Sequence, residues 1–361
     1  MTIKIIKGEA SSKAVAPLQS HDASITANKA APPTLEDVAR VAGVSPITVS
    51  RALNRPDVVS EKNRAKVYAA VEQVGYIPNM MAGGLATKQS KLVAIFVPTV
   101  AHTLFAEFVD TLTGELGKAG YQAILGVTGY DSEQEQALVT AILGRRPDGI
   151  VLTGTDHSPA LTRRLKAANI PVVEAWDLAG KPMDMLVGFS HEGVGQLMAN
   201  HILDQGYRNI AVLTAADPRG LRRLEAMKAV FNEQGIKAPI VSIMPPPASP
   251  VASREAMSAL LSQHGTQIDA VLCSSDTVAQ GVVAAVLTAG YQIPQQIAVM
   301  GFGDLSCAEA IYPSLSTVRI DGSKMGCAIA KALLRRFKGD QQEDEPLLID
   351  AGFELIQRDS T

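Results

Sequence analysis

The sequence predicts a two-lobed α/β core with parallel sheets, preceded by a small all-α domain. Beyond residue 91, short apolar runs with the character of buried strands alternate with helical patterns, which is typical of parallel sheets joined by right-handed crossovers. A sheet holds about six strands, so eight such runs predict two similar lobes that separate near residues 189–195. The runs occupy 92–97, 122–127, 149–153, 171–176, 210–214, 238–243, 270–274 and 297–302.

The all-α domain begins with two short helices joined by a tight turn. An apolar stripe at helical spacing predicts the first helix, and its members are Leu35, Val38, Ala39 and Ala42. Thr34 precedes this stripe as a candidate N-cap, and Gly43 ends it. Ser45 then offers a second N-cap, and Pro46 suits the first position of the next helix because no amide donor is needed there.

The second helix has two different faces. Val49, Ala52 and Leu53 can pack on the first helix. The opposite face consists of Ile47, Ser50, Arg51 and Asn54. An exposed isoleucine beside hydrogen-bonding side chains suits a base-pair edge, where a thymine methyl lies next to polar groups. This pattern predicts a helix-turn-helix that reads DNA, and an ordinary helical hairpin is the alternative.

Charge and composition divide the chain in the same way. Residues 32–91 hold eight Lys or Arg against five Asp or Glu, so that a basic module precedes an acidic remainder in a chain of formal charge −3. We expect a disordered tail at 1–31, a DNA-binding headpiece at 32–78, a hinge helix and linker at 79–91, and an effector-binding and dimerisation core at 92–361. A third helix after Ser60 completes the headpiece.

Several classes of protein are disfavoured. The three cysteines lack metal-ligand spacing, so we expect a reducing cytoplasm and no metal or other cofactor. The N-terminal stretch lacks the apolar core of a signal peptide, and no apolar run reaches the roughly 18 residues that a membrane helix needs. Enzyme motifs such as a Walker loop, a dinucleotide fingerprint and a nucleophile elbow are missing, so we expect no enzyme. His157 beside Asp156 is interpreted as an exposed polar pair in a loop.

From Thr34 to the C-terminus, the chain resembles the lactose/galactose repressor family of bacterial transcription regulators. The resemblance rests on TLEDVARVAGVSPITVSRALN, GYIPNMMAGGLATKQS, FSHEGVG, SSDTVAQG and VMGFGDLSCAEAIYPSLSTVRID. It implies a core like the periplasmic sugar-binding proteins, with lobe 1 at about 92–190 plus 319–343 and lobe 2 at about 191–318 plus 344–361. LFAEFVDTL, ILGVTGYDSEQEQ and TGTDHSP look most like the gluconate-repressor branch.

The resemblance also implies how DNA is bound. Homodimers or larger assemblies would read a near-palindromic operator, with Pro46, Ile47 and Arg51 entering the major groove and Leu85 the minor groove. The expected DNA-binding residues are Thr34, Ser45, Pro46, Ile47, Thr48, Ser50, Arg51, Asn54, Asn79 and Leu85.

Effector residues are expected in the loops that follow the strands, where ligands of parallel α/β folds bind. The candidates are His102, Phe105, Tyr130, Trp176, Asp177, Arg223, Asp276 and Phe302. By the resemblance, Asp276 accepts hydrogen bonds from sugar hydroxyls; capping of the helix beginning at Thr277 is also a good interpretation, and both can hold. Arg223 would hold a carboxylate by two parallel bonds, with Arg222 as its rival. The loop at 244–250 is expected to border the site.

These expectations combine into a cytoplasmic repressor of sugar-acid catabolism genes, of the gluconate or 2-ketogluconate type. The sugar acid would bind between the lobes and release the operator. A neutral sugar effector or a corepressor would use the same architecture. A solute-binding receptor is the alternative from another class, and the headpiece and missing signal peptide count against it.

Overall fold

The computed structural model describes residues 32–77, 89–100, 103–339 and 346–361. The chain forms two compact units that divide between residues 79 and 80. The expected tail at 1–31 lies outside the described residues. The elements of each unit follow from the local sequence, and only those that position a site are treated in detail.

The first unit is a three-helix domain. Its helices are α1 (Leu35–Ala42), α2 (Pro46–Asn54) and α3 (Glu61–Val74), with a 3₁₀ turn at Pro56–Val58. Thr34 and Asp37 form a full capping box at the start of α1, and Gly43 ends that helix in the left-handed conformation at φ 63°. Ser45 caps α2 as predicted, with its hydroxyl accepting from the Thr48 amide at 3.2 Å.

The first lobe of the second unit is built on a parallel sheet of six strands in the described residues. The strands are β1 (Leu92–Val97), β2 (Gln122–Val127), β3 (Gly149–Thr153), β4 (Val172–Ala175), β5 (Met185–Gly188) and β11 (Leu347–Asp350), in the spatial order β11-β5-β4-β3-β1-β2. Helices α4 (Thr103–Lys118), α5 (Ser132–Leu143), α6 (Pro159–Ala168) and α12 (Gly322–Phe337) belong to this lobe. The buried strands β1, β3 and β4 match the predicted apolar runs closely.

The second lobe has a parallel four-stranded sheet over the described residues, in the order β7-β6-β8-β9. Its strands are β6 (Ile210–Ala215), β7 (Ile240–Met244), β8 (Ala270–Cys273) and β9 (Ala298–Met300). Its helices are α7 (His191–Asp204), α8 (Pro218–Glu233), α9 (Pro250–His264), α10 (Asp276–Thr288) and α11 (Ser306–Ala310). A small antiparallel pair, β10 (Thr317–Arg319) with β12 (Glu354–Ile356), completes the fold.

The C-terminal segment differs from the predicted lobe boundary. We expected 344–361 in lobe 2, but β11 pairs in parallel with β5 of the first lobe, so that assignment is wrong for 347–350. The reason is that β11 is a four-residue, mostly exposed edge strand, which is too short to stand out among the predicted apolar runs. No helix in the described ranges is long and apolar enough to cross a lipid bilayer.

Candidate DNA-reading helix and ligand cavity

The two faces of α2 separate as the sequence predicts. Val49 and Ala52 are fully buried in the headpiece core, whereas Ile47 is 63% exposed and Arg51 is exposed. Ser50 is half-buried, and its carbonyl accepts a hydrogen bond from the Asn54 side chain at 2.9 Å. The exposed face therefore presents one apolar and one cationic side chain on a rigid helix, which is the arrangement that a major groove can accept.

The remaining predicted DNA contacts are only partly placed. Thr34 and Ser45 use their hydroxyls as helix caps, and the Thr48 hydroxyl lies 2.9 Å from that of Ser45. Asn79 and Leu85 lie outside the described residues, as does the effector candidate His102. Contact of this set with DNA stays a prediction.

A cavity with an empty volume of about 670 Å³ lies between the two lobes of the core. It is formed largely by loops that follow strands, which is where the parallel α/β fold predicts a ligand. Five predicted effector residues line it, namely Phe105, Tyr130, Trp176, Arg223 and Phe302. Ala248 also lines it, so the 244–250 loop borders the cavity as expected.

Arg223 is the buried cation of this cavity. Its side chain comes from the first turns of α8, is 5% exposed, and lies over the ring of Phe302 with the guanidinium carbon 4.2 Å from the ring centroid. Its Nη1 donates to Nδ1 of His191 at 2.7 Å, and its Nη2 donates to the carbonyl of Ser274 at 3.0 Å. Burial lowers the pKa of Arg223 to about 10, so the group stays charged at neutral pH.

His191 is held neutral by these contacts. Its Nε2–H donates to the carbonyl of Trp176 at 2.9 Å, which leaves Nδ1 as the acceptor for Arg223. Burial, followed by the charge of Arg223, lowers the pKa of His191 well below its usual value. A neutral imidazole therefore orients the guanidinium without competing for an anion.

Trp176 closes one wall of the cavity. It is 2% exposed and makes edge-to-face contacts with Phe105 and Phe108, at centroid separations of 4.9 and 5.5 Å. Its backbone φ of 71° is left-handed, which for a large side chain costs about 1–3 kcal/mol and is typical of functional sites. The contacts with Phe105 and Phe108, together with burial, hold the indole in the wall.

Two buried donors in the cavity lining have no hydrogen-bond partner among the described residues. They are Nε1 of Trp176 and Nε of Arg223. Leaving such a donor unpaired costs about 1–3 kcal/mol. The lining also contains two guanidinium groups, of Arg219 and Arg223, and one carboxylate, of Asp217, so it has an excess of positive charge. A ligand with acceptor oxygens and a negative charge would satisfy both conditions.

Gly195 of α7 sets the position of Arg223. A Cβ on Gly195 would collide with the backbone carbonyl of Arg223 and lie 2.9 Å from the Cβ of Ala226, so α7 and α8 approach closely only because this position is glycine. We therefore expect Gly195→Ala to lower the free energy of unfolding by about 1–3 kcal/mol. Urea unfolding of the purified protein measures this change. Gly206→Ala is the control. Gly206 has a left-handed backbone conformation and open space around it, so this variant measures the cost of backbone strain without a steric clash.

Asp177 and Asp276 lie outside the lining of this cavity. Asp276 is fully buried: its Oδ1 accepts from the Thr317 hydroxyl and its Oδ2 from the Leu305 amide, both at 2.7 Å. Asp177 accepts from Nη1 of Arg222 at 2.5 Å. Both carboxylates are thus bound to protein groups, and their contact with sugar hydroxyls stays a prediction. Ser275, and not Asp276, caps α10.

Arg222 also differs from its expected role. It is the expected rival of Arg223 for the carboxylate of the effector, but its Nη2 donates to Asp156 at 2.6 Å while Nη1 donates to Asp177. Arg222 therefore joins α8 of the second lobe to two loops of the first lobe. Successive helical residues point about 100° apart, so one arginine enters the cavity and the other bridges the lobes.

Comparison with known proteins shows which family has this architecture. Residues 34–79 match the model of bacterial regulatory proteins, lacI family, and residues 199–361 match that of the periplasmic binding protein-like domain. The HTH-type transcriptional regulator GntR of Pseudomonas aeruginosa is 36% identical over 330 residues, covering 91% of this chain and 96% of that protein. The chain belongs to the lacI family. It is a DNA-binding transcription regulator of that family.

Solved structures of the lacI family agree with this placement. A LacI-family transcriptional regulator from Silicibacter pomeroyi has a TM-score of 0.85 and 32% identity, covering 91% of this chain and 99% of that one. The Lac repressor dimer bound to operator and the anti-inducer ONPF has a TM-score of 0.77 and 25% identity, covering 91% and 99%. The expected fold class and family are confirmed.

This lacI-family core contains cavity residues that the sequence did not single out. Phe189 and His191 follow β5, a four-residue strand that was missed because it is short and contains a glycine. Arg219 lines the cavity three residues before Arg222. The motif FSHEGVG contains Phe189 and His191, so recognising the strand before it would have pointed to both.

The expectation that Asp156 and His157 are both exposed is wrong for His157. Its side chain is 2% exposed, with Nδ1 3.0 Å from Glu135 and Nε2 donating to the carbonyl of Gly154. Burial opposes its protonation, but the hydrogen bond and charge of Glu135 outweigh burial and raise the pKa of His157. The imidazole is a buried link between the loop after β3 and helix α5 of the first lobe, and its Nε2 lies 3.7 Å from Glu174.

Proposed function

We propose that this regulator is a cytoplasmic repressor of sugar-acid catabolism genes, released from its operator when a gluconate- or 2-ketogluconate-type acid binds between the lobes. It acts by binding and not by catalysis, as a homodimer or larger assembly on a near-palindromic site. The headpiece reads the operator through the exposed face of α2, with Ile47 and Arg51 at its centre.

The buried guanidinium of Arg223 carries the sugar-acid proposal. Within the described parts of the chain, no carboxylate lies within ion-pair distance of this guanidinium. Its burial lowers its pKa to about 10, so the buried group is a cation at neutral pH. A buried charge is costly unless paired, so an anionic ligand would relieve this cost. The free Nε donors of Arg223 and Trp176 would each bond an oxygen of the acid.

Ligand binding would reach DNA through the relative position of the lobes. The cavity has walls from both lobes, so a ligand that contacts both favours one interlobe angle. A coupling of about 1–3 kcal/mol changes operator affinity about 5- to 150-fold. We propose induction, in which the ligand-bound angle weakens DNA binding; corepression would use the same contacts with the opposite sign.

The test begins with operator selection from a random double-stranded DNA library. We expect near-palindromic sites whose affinity falls steeply with salt. Adding D-gluconate or 2-ketogluconate should weaken binding about 5- to 150-fold, whereas D-glucitol, the uncharged analogue of gluconate, should have little effect. Equal responses to gluconate and glucitol would instead establish a neutral effector, and tighter binding with acid would establish corepression.

A further inference from the structure

A second cavity adjoins the one described above. It has an empty volume of about 710 Å³ and shares Tyr130 and Arg219 with the first. It is built mainly from loops that follow β1, β2, β3 and β4, so it lies on the first-lobe side of the cleft. A ligand longer than the first cavity can therefore extend past Tyr130 and Arg219 into this one.

The two cavities have opposite chemical character. The first is walled by aromatic rings and has an excess of positive charge. The lining of the second contains four carboxylates, from Asp131, Glu135, Asp156 and Asp177, against the single guanidinium of Arg219. The cleft is thus cationic and aromatic at one end and acidic at the other.

Basic side chains that contact the carboxylates of the second cavity offset only part of the negative charge of its lining. Arg222 bonds both Asp156 and Asp177, and His157 lies against Glu135. Asp131 caps α5, accepting from the amides of Glu133 and Gln134 at 2.7 and 3.2 Å. It has no ion pair with a cationic side chain within the described chain. Asp131 is therefore the carboxylate whose charge is least compensated.

We propose that the second cavity receives the uncharged polyhydroxyl end of a sugar acid whose carboxylate lies beside Arg223, and that it rejects acids ionised at both ends. This inference rests on the proposed function. Carboxylates accept hydrogen bonds from sugar hydroxyls, whereas a second carboxylate would be repelled by the like charges of this lining. The site thus selects aldonic acids over aldaric acids of the same length, through repulsion at one end as well as attraction at the other.

The only tryptophan of the chain, Trp176, lies in the first cavity and reports binding by its fluorescence. Titration of the full-length protein with D-gluconate, D-glucarate and D-glucitol compares a monoanion, a dianion and a neutral polyol of six carbons. We expect gluconate to bind at least about tenfold more tightly than glucarate, a difference of about 1.4 kcal/mol.

Asp131→Asn removes the charge but keeps a good N-cap for α5. We expect it to raise glucarate affinity, and so to lower the ratio of gluconate to glucarate affinity at least about threefold. The control is Asp321→Asn, which makes the same change at the N-cap of α12 and lines neither cavity. It should leave both affinities unchanged.

The outcomes separate the two proposals. If gluconate binds but glucarate binds equally well, or if Asp131→Asn leaves their ratio unchanged, the assignment of the second cavity is overturned while the sugar-acid function stands. If neither acid binds and glucitol does, the sugar-acid function itself fails.

Discussion

Replacing Arg223 by methionine is expected to abolish release of the operator by sugar acid while leaving operator affinity in its absence nearly unchanged. Methionine keeps much of the length of the side chain and removes the charge and the Nε donor. Loss of one partner of a buried, hydrogen-bonded charge pair costs about 2–5 kcal/mol, which corresponds to about 30- to 5000-fold in ligand affinity. The headpiece lies in the other compact unit, so we expect its affinity for DNA to be unaffected.

The variant also removes the bonds from Arg223 to His191 and to the Ser274 carbonyl. Its free energy of unfolding must therefore be measured beside its Trp176 fluorescence response. Arg223→Lys retains a charge without the planar pair of donors and should bind acid weakly. Arg163→Met, at an exposed arginine of α6, is the matched control and should respond like the parent protein. An Arg223→Met protein that folds and still releases DNA at ordinary concentrations of gluconate would contradict the assignment.

The buried and exposed faces of helices could be predicted because the spacing of apolar residues along the sequence determines them. Val49 and Ala52 fall on one side of α2 and Ile47 and Arg51 on the other, whatever the tertiary context. The same holds for strand ends, since loops after parallel strands meet at one edge of a sheet. Trp176 and Phe302 could therefore be placed in the cavity from their positions after β4 and β9.

The direction and partners of single polar side chains were not predictable. Asp177 and Asp276 follow strands as Trp176 and Phe302 do, yet their carboxylates bond Arg222, Thr317 and the Leu305 amide. Such pairs join residues 29 to 45 positions apart in the chain, and no local pattern records them. The bridging role of Arg222 was missed for the same reason.

The buried carboxylate of Asp276 has a structural role. Its two oxygens tie the start of α10 to Leu305 and to Thr317 of β10, and its backbone amide donates to the Phe302 carbonyl at 2.9 Å. Leu305 and Phe302 both line the cavity. We infer that Asp276 positions this wall from behind, while its contact with the effector stays a prediction.

Asp276→Ala is accordingly expected to lower the free energy of unfolding by about 2–4 kcal/mol, because it leaves the buried Leu305 amide and Thr317 hydroxyl without their acceptor. Chemical denaturation at pH 7 measures this loss. Asp276→Asn should be much milder, since its amide oxygen can accept from Leu305 while its amide nitrogen donates to the Thr317 hydroxyl. If Asp276→Ala unfolds like the parent protein but loses ligand binding, the carboxylate is a ligand group after all.

The pH dependence of stability gives a second, independent readout. Burial raises the pKa of Asp276 from 3.8 to about 6, with the charge of Asp304 acting in the same direction and that of Arg358 opposing it. Because the folded-state pKa is the higher one, the contribution of Asp276 to stability is complete below pH 3.8 and is lost as the pH rises through about 6.

The Asp276→Asn variant tests this dependence because its side chain cannot ionise. Its stability relative to the parent should therefore rise by on the order of 1–3 kcal/mol between pH 4 and pH 7. Asp110→Asn, at an exposed position of α4, should show no such trend. A difference between Asp276→Asn and the parent that stays flat across this window would mean that the carboxylate ionises freely despite its burial.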